Sequence, residues 1–365
     1  MMSARAGRGW RQPLIWLSAA WAIVGLSGCA EVDYYAQAIH GQFALLEAAR
    51  PVDALSKSDR VDERLLRRLR LAEEIRIYAV EKLGLPDNGS YRKYADLKRA
   101  YVVWDVFAAR PLSLRLKQSC FPIAGCVDYR GYYSHADAEQ YARDLRRHGW
   151  ETCTVGVPAY STLGYFDDPL LNTFLFNPEA ELARIIFHEL AHQVVYVRGD
   201  TMFNESFAVT VAAVGVARWL RSRPRAAKAP DVADLHRRAF RALIKRYRDR
   251  LAELYASSLP REQKEIEKRR IFREVRVSYA HLRASWGGYA GFDRWIDNGL
   301  NNAKFGAYAD YSRWVPAFRA LLAQQHGNLP AFYKAVKELA AEPADKRQAE
   351  LDVLSQGNAE KPAQP

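Results

Sequence analysis

The 365-residue sequence has few cysteines, no internal repeat and no apolar run long enough to cross a membrane comfortably. Its longest apolar run, Leu14 to Leu26, has 13 residues, whereas a transmembrane helix needs about 20. None of the four cysteines lies in a recognisable setting for a nucleophile. No basic segment is interleaved with aromatic residues, so the formal charge of +12 does not indicate a nucleic-acid partner.

The N-terminus has the pattern of an export signal. Three arginines and no acidic residue precede the apolar run, which ends at Leu26-Ser27-Gly28-Cys29. These four residues resemble a lipobox, which implies that Cys29 receives diacylglycerol, that residues 1–28 are removed and that the new amino group is acylated. An uncleaved helical anchor is the alternative interpretation. Because Ala30 rather than aspartate follows, the resemblance favours the outer membrane of a Gram-negative envelope, on the side of the periplasm.

Acylation would attach the mature chain to a membrane without a span, since several acyl chains insert together. Loss of residues 1–28 lowers the formal charge from +12 to 12 − 3 = +9. The remaining positive charge favours attraction to anionic lipid beside the anchor, although it would also attract acidic substrates. The sequence does not indicate an oligomeric state.

Three cysteines remain after Cys29, and an exported protein meets an oxidising compartment. Cys120 and Cys126 flank a segment whose proline and glycine can turn the chain, so they are the closest pair on sequence grounds. Pairing of either one with Cys153 stays open.

Strand signals lie between two helical regions. Apolar residues recur at spacings of three and four from Val32 to about Leu83, and again from Pro178 onward. The predicted strands are residues 101–106, 127–133 and 152–165, with an amphipathic helix over residues 136–147. The later helices are predicted over residues 180–198, 204–221, about 231–256, 261–283 and two shorter segments beyond Phe305.

The chemistry of the sequence is concentrated in His188-Glu189-Leu190-Ala191-His192, inside an apolar predicted helix. One helical turn takes 3.6 residues, so His188 and His192 lie on one face and both imidazoles can reach one Zn²⁺. Glu189 lies about 100° round the helix, where it can act as a general base on water without being a ligand. Two histidines and a glutamate among apolar neighbours would be costly to bury without such a partner.

The predicted third metal ligand is Glu205, twelve residues after His192. Gly199 and Asp200 are expected to end the first helix, and Asn204 to cap a second one that returns the carboxylate to the histidines. Three protein ligands with one open position are typical of catalytic zinc. The alternative for Glu205 is an exposed acid that favours the helix dipole.

The sequence also resembles the predicted aminopeptidase family of Gram-negative envelope lipoproteins, within the zincin superfamily. Phe203 to Ala208 is similar to the third-ligand motif of aminopeptidase N-like gluzincins, although their linker is longer and their Gly-Ala-Met-Glu-Asn strand is absent here. The segments that carry the resemblance are residues 120–126, Tyr129-Arg130-Gly131-Tyr132, residues 159–169, 188–192, 203–208, Leu300-Asn301-Asn302-Ala303 and Tyr311.

This resemblance implies an α+β, predominantly helical, zincin-like fold with a small sheet before the active-site helix. It implies that an edge strand within residues 157–165 pairs with the extended substrate, and its central residues are Tyr160, Ser161, Thr162, Leu163 and Gly164. An ordinary sheet edge or loop is the alternative. Tyr289, Tyr308 and Tyr311 are candidate donors to the oxyanion of the intermediate, with Tyr311 preferred from the resemblance, and ordinary packing is the alternative for each. Asp167 and Asp168 are expected to start a turn with Pro169, and binding of a substrate ammonium is the alternative.

The expected organisation is a signal peptide over residues 1–28, one peptidase domain over residues 29–340 and a disordered tail over residues 341–365. Within the domain, the expected parts are a helical segment of about 29–100, the sheet and active-site helices of about 101–222, and a helical segment of about 231–340.

The expected activity is zinc-dependent hydrolysis of peptide bonds by a membrane-anchored aminopeptidase that acts on a peptide or protein. The alternatives are an endopeptidase of envelope proteins and a lipoprotein that uses a metal-stapled domain only for binding.

Overall fold

The computed structural model describes residues 31–59, 61–122, 124–223, 232–310 and 313–357. The chain divides into two units, Met1–Ala48 and Ala49–Pro365. The described part of the first unit is one helix, α1 (residues 31–48). The predicted signal peptide and Cys29 lie outside the described residues. Among the helices that are described, none has the length and apolar character needed to span a membrane.

The second unit is predominantly helical and contains three small sheets within its described residues, as an α+β fold requires. Its elements are, in order, β1 (Arg50–Pro51), α2 (Val52–Ser56), α3 (Glu63–Leu83), β2 (Lys93–Ala95), β3 (Val103–Ala109), β4 (Ser119–Phe121), β5 (Gly125–Val127), β6 (Arg130–Tyr132), α4 (His135–Arg147), β7 (Glu151–Val157), β8 (Leu170–Leu171), α5 (Asn172–Leu175), α6 (Glu179–His192), α7 (Thr201–Ser222), α8 (Val232–Ala256), α9 (Arg261–Ser285), α10 (Asp293–Asp297), α11 (Asn302–Asp310), α12 (Val315–Gln324), α13 (Leu329–Ala341) and α14 (Ala344–Gly357).

The sheet that precedes the site has the antiparallel order β6-β3-β7. All seven residues of β3 pair with β7, from Val103 opposite Val157 to Ala109 opposite Glu151. Because side chains alternate along a strand, Asp105, Phe107 and Ala109 share one face of β3. Phe107 and Ala109 pack there against Ala303 and Ala307 of α11, so the helix covers this face of the sheet.

Helices α6 and α7 form the centre of the helical part, and they pack along each other with α3 and α12 beside α7. Their shared apolar faces carry large aromatic residues that are fully buried. Phe203 and Phe207 of α7 make edge contacts with Phe318 of α12, with ring centroids 5.1 and 5.8 Å apart. A rigid aromatic core therefore holds the first turns of α7 in position.

The strand predicted over residues 152–165 ends at Val157, so residues 160–164 do not form the expected edge strand. Leu163 and Gly164 have φ values of 57° and 84°, in the left-handed region, which breaks an extended backbone. The Thr162 side chain further closes a turn, because its hydroxyl donates to Phe166 O and accepts from Phe166 N. Residues 158–169 are thus a loop, and the edge strands of the β6-β3-β7 sheet are β6 and β7.

The prediction of a disordered tail was wrong for residues 344–357, which form α14. The sequence lacks a strong apolar stripe there, but Leu351 is buried and Arg347 is tied to Asp200. The Arg347 guanidinium donates to Asp200 Oδ2 from Nε at 3.1 Å and from Nη2 at 2.9 Å. The ion pair of Arg347 with Asp200 and the packing of α14 against α12 tie this helix to the rest of the unit. Residues 358–365 lie outside the described chain.

The connection between α6 and α7 differs from the predicted one, because α6 ends at His192 and α7 begins at Thr201. Asp200, not Asn204, caps α7, since its Oδ1 accepts from Phe203 N at 3.0 Å. Asn204 is buried and holds the connecting loop instead. Its Oδ1 accepts from Val197 N at 2.7 Å, and its Nδ2 donates to Val197 O at 2.8 Å.

A disulfide hairpin rests on the same loop. Cys120 and Cys126 are bonded across the β4–β5 pair, as the sequence predicted, and Cys153 is free. The Ala124 carbonyl of this hairpin accepts hydrogen bonds from Gly199 N at 3.1 Å and from the Tyr196 hydroxyl at 3.3 Å. The cross-linked hairpin therefore supports the loop that returns the chain from α6 to α7.

We expect Asn204→Ala to lower the free energy of unfolding by about 1–3 kcal/mol, because it removes both partners of the Val197 backbone. Urea denaturation of the purified protein in the presence of a chelator measures this change. Asn298→Ala is the matched control, since Asn298 is exposed, and it should change the stability by less than about 0.5 kcal/mol. Equal stability of the two variants would contradict the role assigned to Asn204.

Candidate functional site

The predicted motif lies at the C-terminal end of α6, which is buried along one face. Glu179 and Glu181 lie in its first turn, where acidic residues favour the helix dipole. His188 and His192 lie one turn apart at the other end, with their Nε2 atoms 3.2 Å from each other. Glu189 is buried beside them. The helix therefore presents two imidazoles and one carboxylate to the same space.

Helix α7 brings Glu205 to the two histidines, as the sequence predicted. Its Oε2 lies 3.2 Å from His188 Nε2, and its Oε1 lies 3.6 Å from His192 Nε2. We name these three residues the His-His-Glu cluster. The tight loop held by Asn204 makes this approach possible with only twelve residues between His192 and Glu205.

The His-His-Glu cluster has the composition and spacing of a metal site. Two imidazole nitrogens that face each other at 3.2 Å can share only one proton, and Glu205 Oε2 is buried without a well-aligned donor. A cation among the three donor atoms would satisfy all of them. Within the described residues the cluster has three members, so a metal held there would keep a position for another ligand.

The charges of the cluster act on one another. Burial lowers the pKa of His192 to about 4, so this imidazole is neutral and its lone pair can bind a metal. Burial also opposes the charge on His188, but the adjacent carboxylates of Glu205 and Glu189 outweigh it and raise its pKa. The two histidines in turn outweigh burial at Glu205 and lower the pKa of that carboxyl.

Glu189 is the carboxylate of the site that is poised to exchange a proton. Burial raises its pKa to about 7, His188 opposes this shift, and the charges of Glu205 and Asp168 add to it. A carboxyl group with a pKa close to neutrality both accepts and returns protons readily. Its position next to the His-His-Glu cluster suits a general base.

Three further residues near the cluster were not predicted as site residues. Burial raises the pKa of Asp105 to about 7, with a contribution from Glu205. Burial and then the charges of Asp105, Glu205 and Glu189 raise the pKa of Tyr129. Tyr91 is buried, and the charges of Glu189 and Asp168 likewise add to the effect of burial on its pKa.

Only some of these residues left a signal in the sequence. Asp105 interrupts an otherwise apolar strand, where a charged residue is unusual. Tyr129 lies in one of the segments that carry the family resemblance. Tyr91 shows no pattern of its own in the sequence, because its location depends on the hydrogen bonds that tie residues 88–91 to Gln193.

Two of the three tyrosines proposed as oxyanion donors, Tyr289 and Tyr308, pack against aromatic residues elsewhere in the described chain. Tyr311 lies outside the described residues. Tyr289 packs against His236 with ring centroids 4.6 Å apart, and Tyr308 packs against Phe240 at 5.7 Å. Tyr289 also contacts Trp286 and Phe292, and Tyr308 packs against the cluster that contains Phe240.

Other acids of α6 are excluded as ligands by their partners. Glu179 accepts hydrogen bonds from Trp219 Nε1 at 2.9 Å and Arg223 Nε at 3.1 Å. Glu181 pairs with Arg237 and Arg184. Seven residues of helix, about 10 Å, separate Glu181 from His188.

Comparison with known proteins gives one family. No curated protein and no solved structure matches the chain. The model of a family described as "Putative aminopeptidase" matches residues 33–351, which include the sheet, the disulfide hairpin and the whole of α6 and α7. The match covers well over half of the sequence, and the chain therefore belongs to this aminopeptidase family.

Proposed function

We propose that this protein is a zinc-dependent peptidase that is anchored by lipid in the bacterial envelope and removes residues from the amino end of peptides. The observation that carries the proposal is the His-His-Glu cluster with Glu189 buried beside it. The family description supports peptide hydrolysis, and the site supplies the groups that such a reaction needs.

Zinc is the metal that suits the donor set best. Zinc binds histidine nitrogen and carboxylate oxygen at about 2.0–2.2 Å with tetrahedral geometry, so its ligand atoms lie roughly 3.3–3.5 Å from one another. In the cluster, the two Nε2 atoms lie 3.2 Å apart, Glu205 Oε2 lies 3.2 Å from His188 Nε2, and Glu205 Oε1 lies 3.6 Å from His192 Nε2. His188, His192 and Glu205 are therefore the residues that would hold zinc.

When bound, zinc would polarise the scissile carbonyl group and make a water molecule more acidic. Glu189 accepts the proton of the attacking water at its carboxylate and then passes it to the nitrogen of the leaving amine. Burial of Glu189 keeps its pKa close to neutrality, so both transfers are feasible for the same group. The edge of β7 is the element that would align an extended peptide by backbone hydrogen bonds.

Two alternatives make different predictions about this site. An endopeptidase would cleave peptides with a blocked amino terminus as well as unblocked ones. A binding lipoprotein with a purely structural metal would need a fourth protein ligand, and the cluster has three within the described part of the chain. The three-ligand cluster and the family description favour the aminopeptidase.

We expect Glu189→Gln to retain zinc while the rate of peptide hydrolysis falls by roughly two to four orders of magnitude, because the amide cannot accept the proton of water. Metal analysis and a peptide-hydrolysis assay on the same preparation measure both quantities. Glu181→Gln is a matched control in the same helix and should keep zinc and activity. Full activity of Glu189→Gln with zinc bound would show that the mechanism is wrong.

The envelope location is proposed from the N-terminal sequence alone. The lipobox-like residues 26–29 support acylation of Cys29, and the following Ala30 supports the outer membrane. The basic character of the mature chain supports contact with anionic lipid next to the anchor.

We expect Cys29→Ala to abolish incorporation of radiolabelled fatty acid and to prevent processing of the signal by the lipoprotein pathway. Metabolic labelling followed by membrane fractionation measures both effects. Cys153→Ala is the control and should be labelled like the parent protein, because Cys153 does not follow a lipobox-like sequence. Normal labelling of Cys29→Ala would contradict the anchor, and an inner-membrane location of the parent would contradict the proposed membrane.

A further inference from the structure

Asp167 and Asp168 are adjacent acids that the sequence could not distinguish, but they differ in burial in the structure. Asp167 is exposed, whereas Asp168 has only 4% of its surface exposed. Asp168 ends the loop of residues 158–168, and its charge contributes to the raised pKa of Glu189. Of the two carboxylates, Asp168 is therefore the buried one, and its charge is the one that acts on the candidate general base.

Asp168 is held firmly but has no cationic partner. Thr162 N donates to its Oδ2 at 3.0 Å, and the Ser161 hydroxyl lies 3.5 Å from the same oxygen. No lysine or arginine of the described chain forms an ion pair with this carboxylate. A buried carboxylate without a cation is costly, so the site favours a positively charged ligand.

A set of hydrogen bonds fixes the surroundings of Asp168 to the end of α6. Gln193, directly after His192, accepts from Asn88 Nδ2 at 2.7 Å and donates from Nε2 to the Ser90 hydroxyl at 3.3 Å. Tyr91, which follows Ser90 in the sequence, donates from its backbone N–H to Asp168 O at 2.7 Å. These contacts join the segment 88–91, the loop that ends at Asp168 and the metal-binding end of α6.

Tyr91 supplies an independent sign that a ligand belongs here. Its side chain is buried, with 3% of the residue exposed, and its hydroxyl has no hydrogen-bond partner. Buried hydroxyl groups without a partner are uncommon in folded proteins. Tyr91 also has a φ of 63°, and non-glycine residues held in this region cluster at functional sites. Burial raises the pKa of its phenol, and the charges of Glu189 and Asp168 add to that effect.

We propose that Asp168 and Tyr91 form the subsite for the primary ammonium group of an unblocked peptide N-terminus. The carboxylate supplies the opposite charge, and the phenol oxygen accepts one further N–H of the ammonium while its own proton remains free for a carboxylate. This subsite deepens the proposed function and rests on it, because it would set the N-terminal residue of the peptide beside Glu189.

Asp105 is the competing carboxylate. It lies on β3, on the face of the strand that α11 covers. Burial raises its pKa, and the charge of the proposed metal ligand Glu205 adds to this effect. The backbone N–H of Tyr91 donates to Asp168 O at 2.7 Å, and the hydrogen bonds of Gln193 tie the same segment to the end of α6, which is why we assign the ammonium to Asp168.

Binding can be measured without turnover in the zinc-loaded Glu189→Gln protein. The probes are Leu-Ala-Ala amide with a free amino terminus and the same peptide with an N-acetyl group, and titration calorimetry gives the two dissociation constants. We expect the free peptide to bind roughly 10- to 100-fold more tightly, as a charge-assisted hydrogen bond implies. Addition of Asp168→Asn should abolish this preference, because asparagine keeps an acceptor for Thr162 N but loses the charge.

Asp167→Asn in the same background is the matched control and should retain the preference. The proposal is overturned if the preference survives Asp168→Asn, if Asp105→Asn alone removes it, or if neither peptide binds. It is also overturned if Asp168→Asn weakens both peptides equally, which is the result for a purely structural brace of the loop. Failure of the parent protein to hydrolyse any peptide would contradict the proposed function separately, since the binding assay uses a variant that does not turn over.

Discussion

The approach of Glu205 to the two histidines of α6 is the interaction on which the rest of the site depends. It requires α6 to stop at His192 and the chain to reverse within the short loop before Thr201. The Asn204 side chain closes this loop on the Val197 backbone, and the disulfide hairpin supports it from outside. At the start of α7, Arg347 of the last helix binds the capping Asp200. Distant parts of the chain thus position one carboxylate.

The site is also defined by charges that the fold leaves uncompensated. Glu189, Asp105 and Asp168 are buried, and no lysine or arginine of the described residues forms an ion pair with them. Such groups raise the free energy of the folded state unless a cation joins them. A divalent metal at the His-His-Glu cluster and an ammonium at Asp168 would supply positive charge at two separate points. A cation bound at either point would offset part of the cost of burying the nearby carboxylates.

Much of the site could be predicted from local sequence, because its chemistry follows helical spacing. The positions of His188, Glu189 and His192 follow from the 3.6-residue turn, and Glu205 and the disulfide were also predicted. The placing of a few strands between two helical regions followed from the apolar patterns, and the α+β class was implied by the family resemblance. Membership of the zincin superfold stays a prediction, since no solved structure matches the chain.

What could not be predicted depends on contacts between distant segments. The prediction of an edge strand over residues 160–164 was wrong because Leu163 and Gly164 adopt left-handed backbone angles. The pattern of apolar and polar side chains does not reveal such angles. Helix α14 was missed because a buried arginine holds it in place of an apolar stripe. Tyr91 and Asp168 are brought together by loops that hydrogen bonds of Gln193 hold in place.

Zinc-edge anomalous diffraction from zinc-loaded crystals tests the central claim most directly. One peak bonded to His188 Nε2, His192 Nε2 and a Glu205 oxygen at roughly 2.0–2.2 Å, with no fourth protein ligand, is the predicted result. A peak elsewhere, a fourth protein ligand or a Glu205 carboxylate outside bonding distance would contradict it.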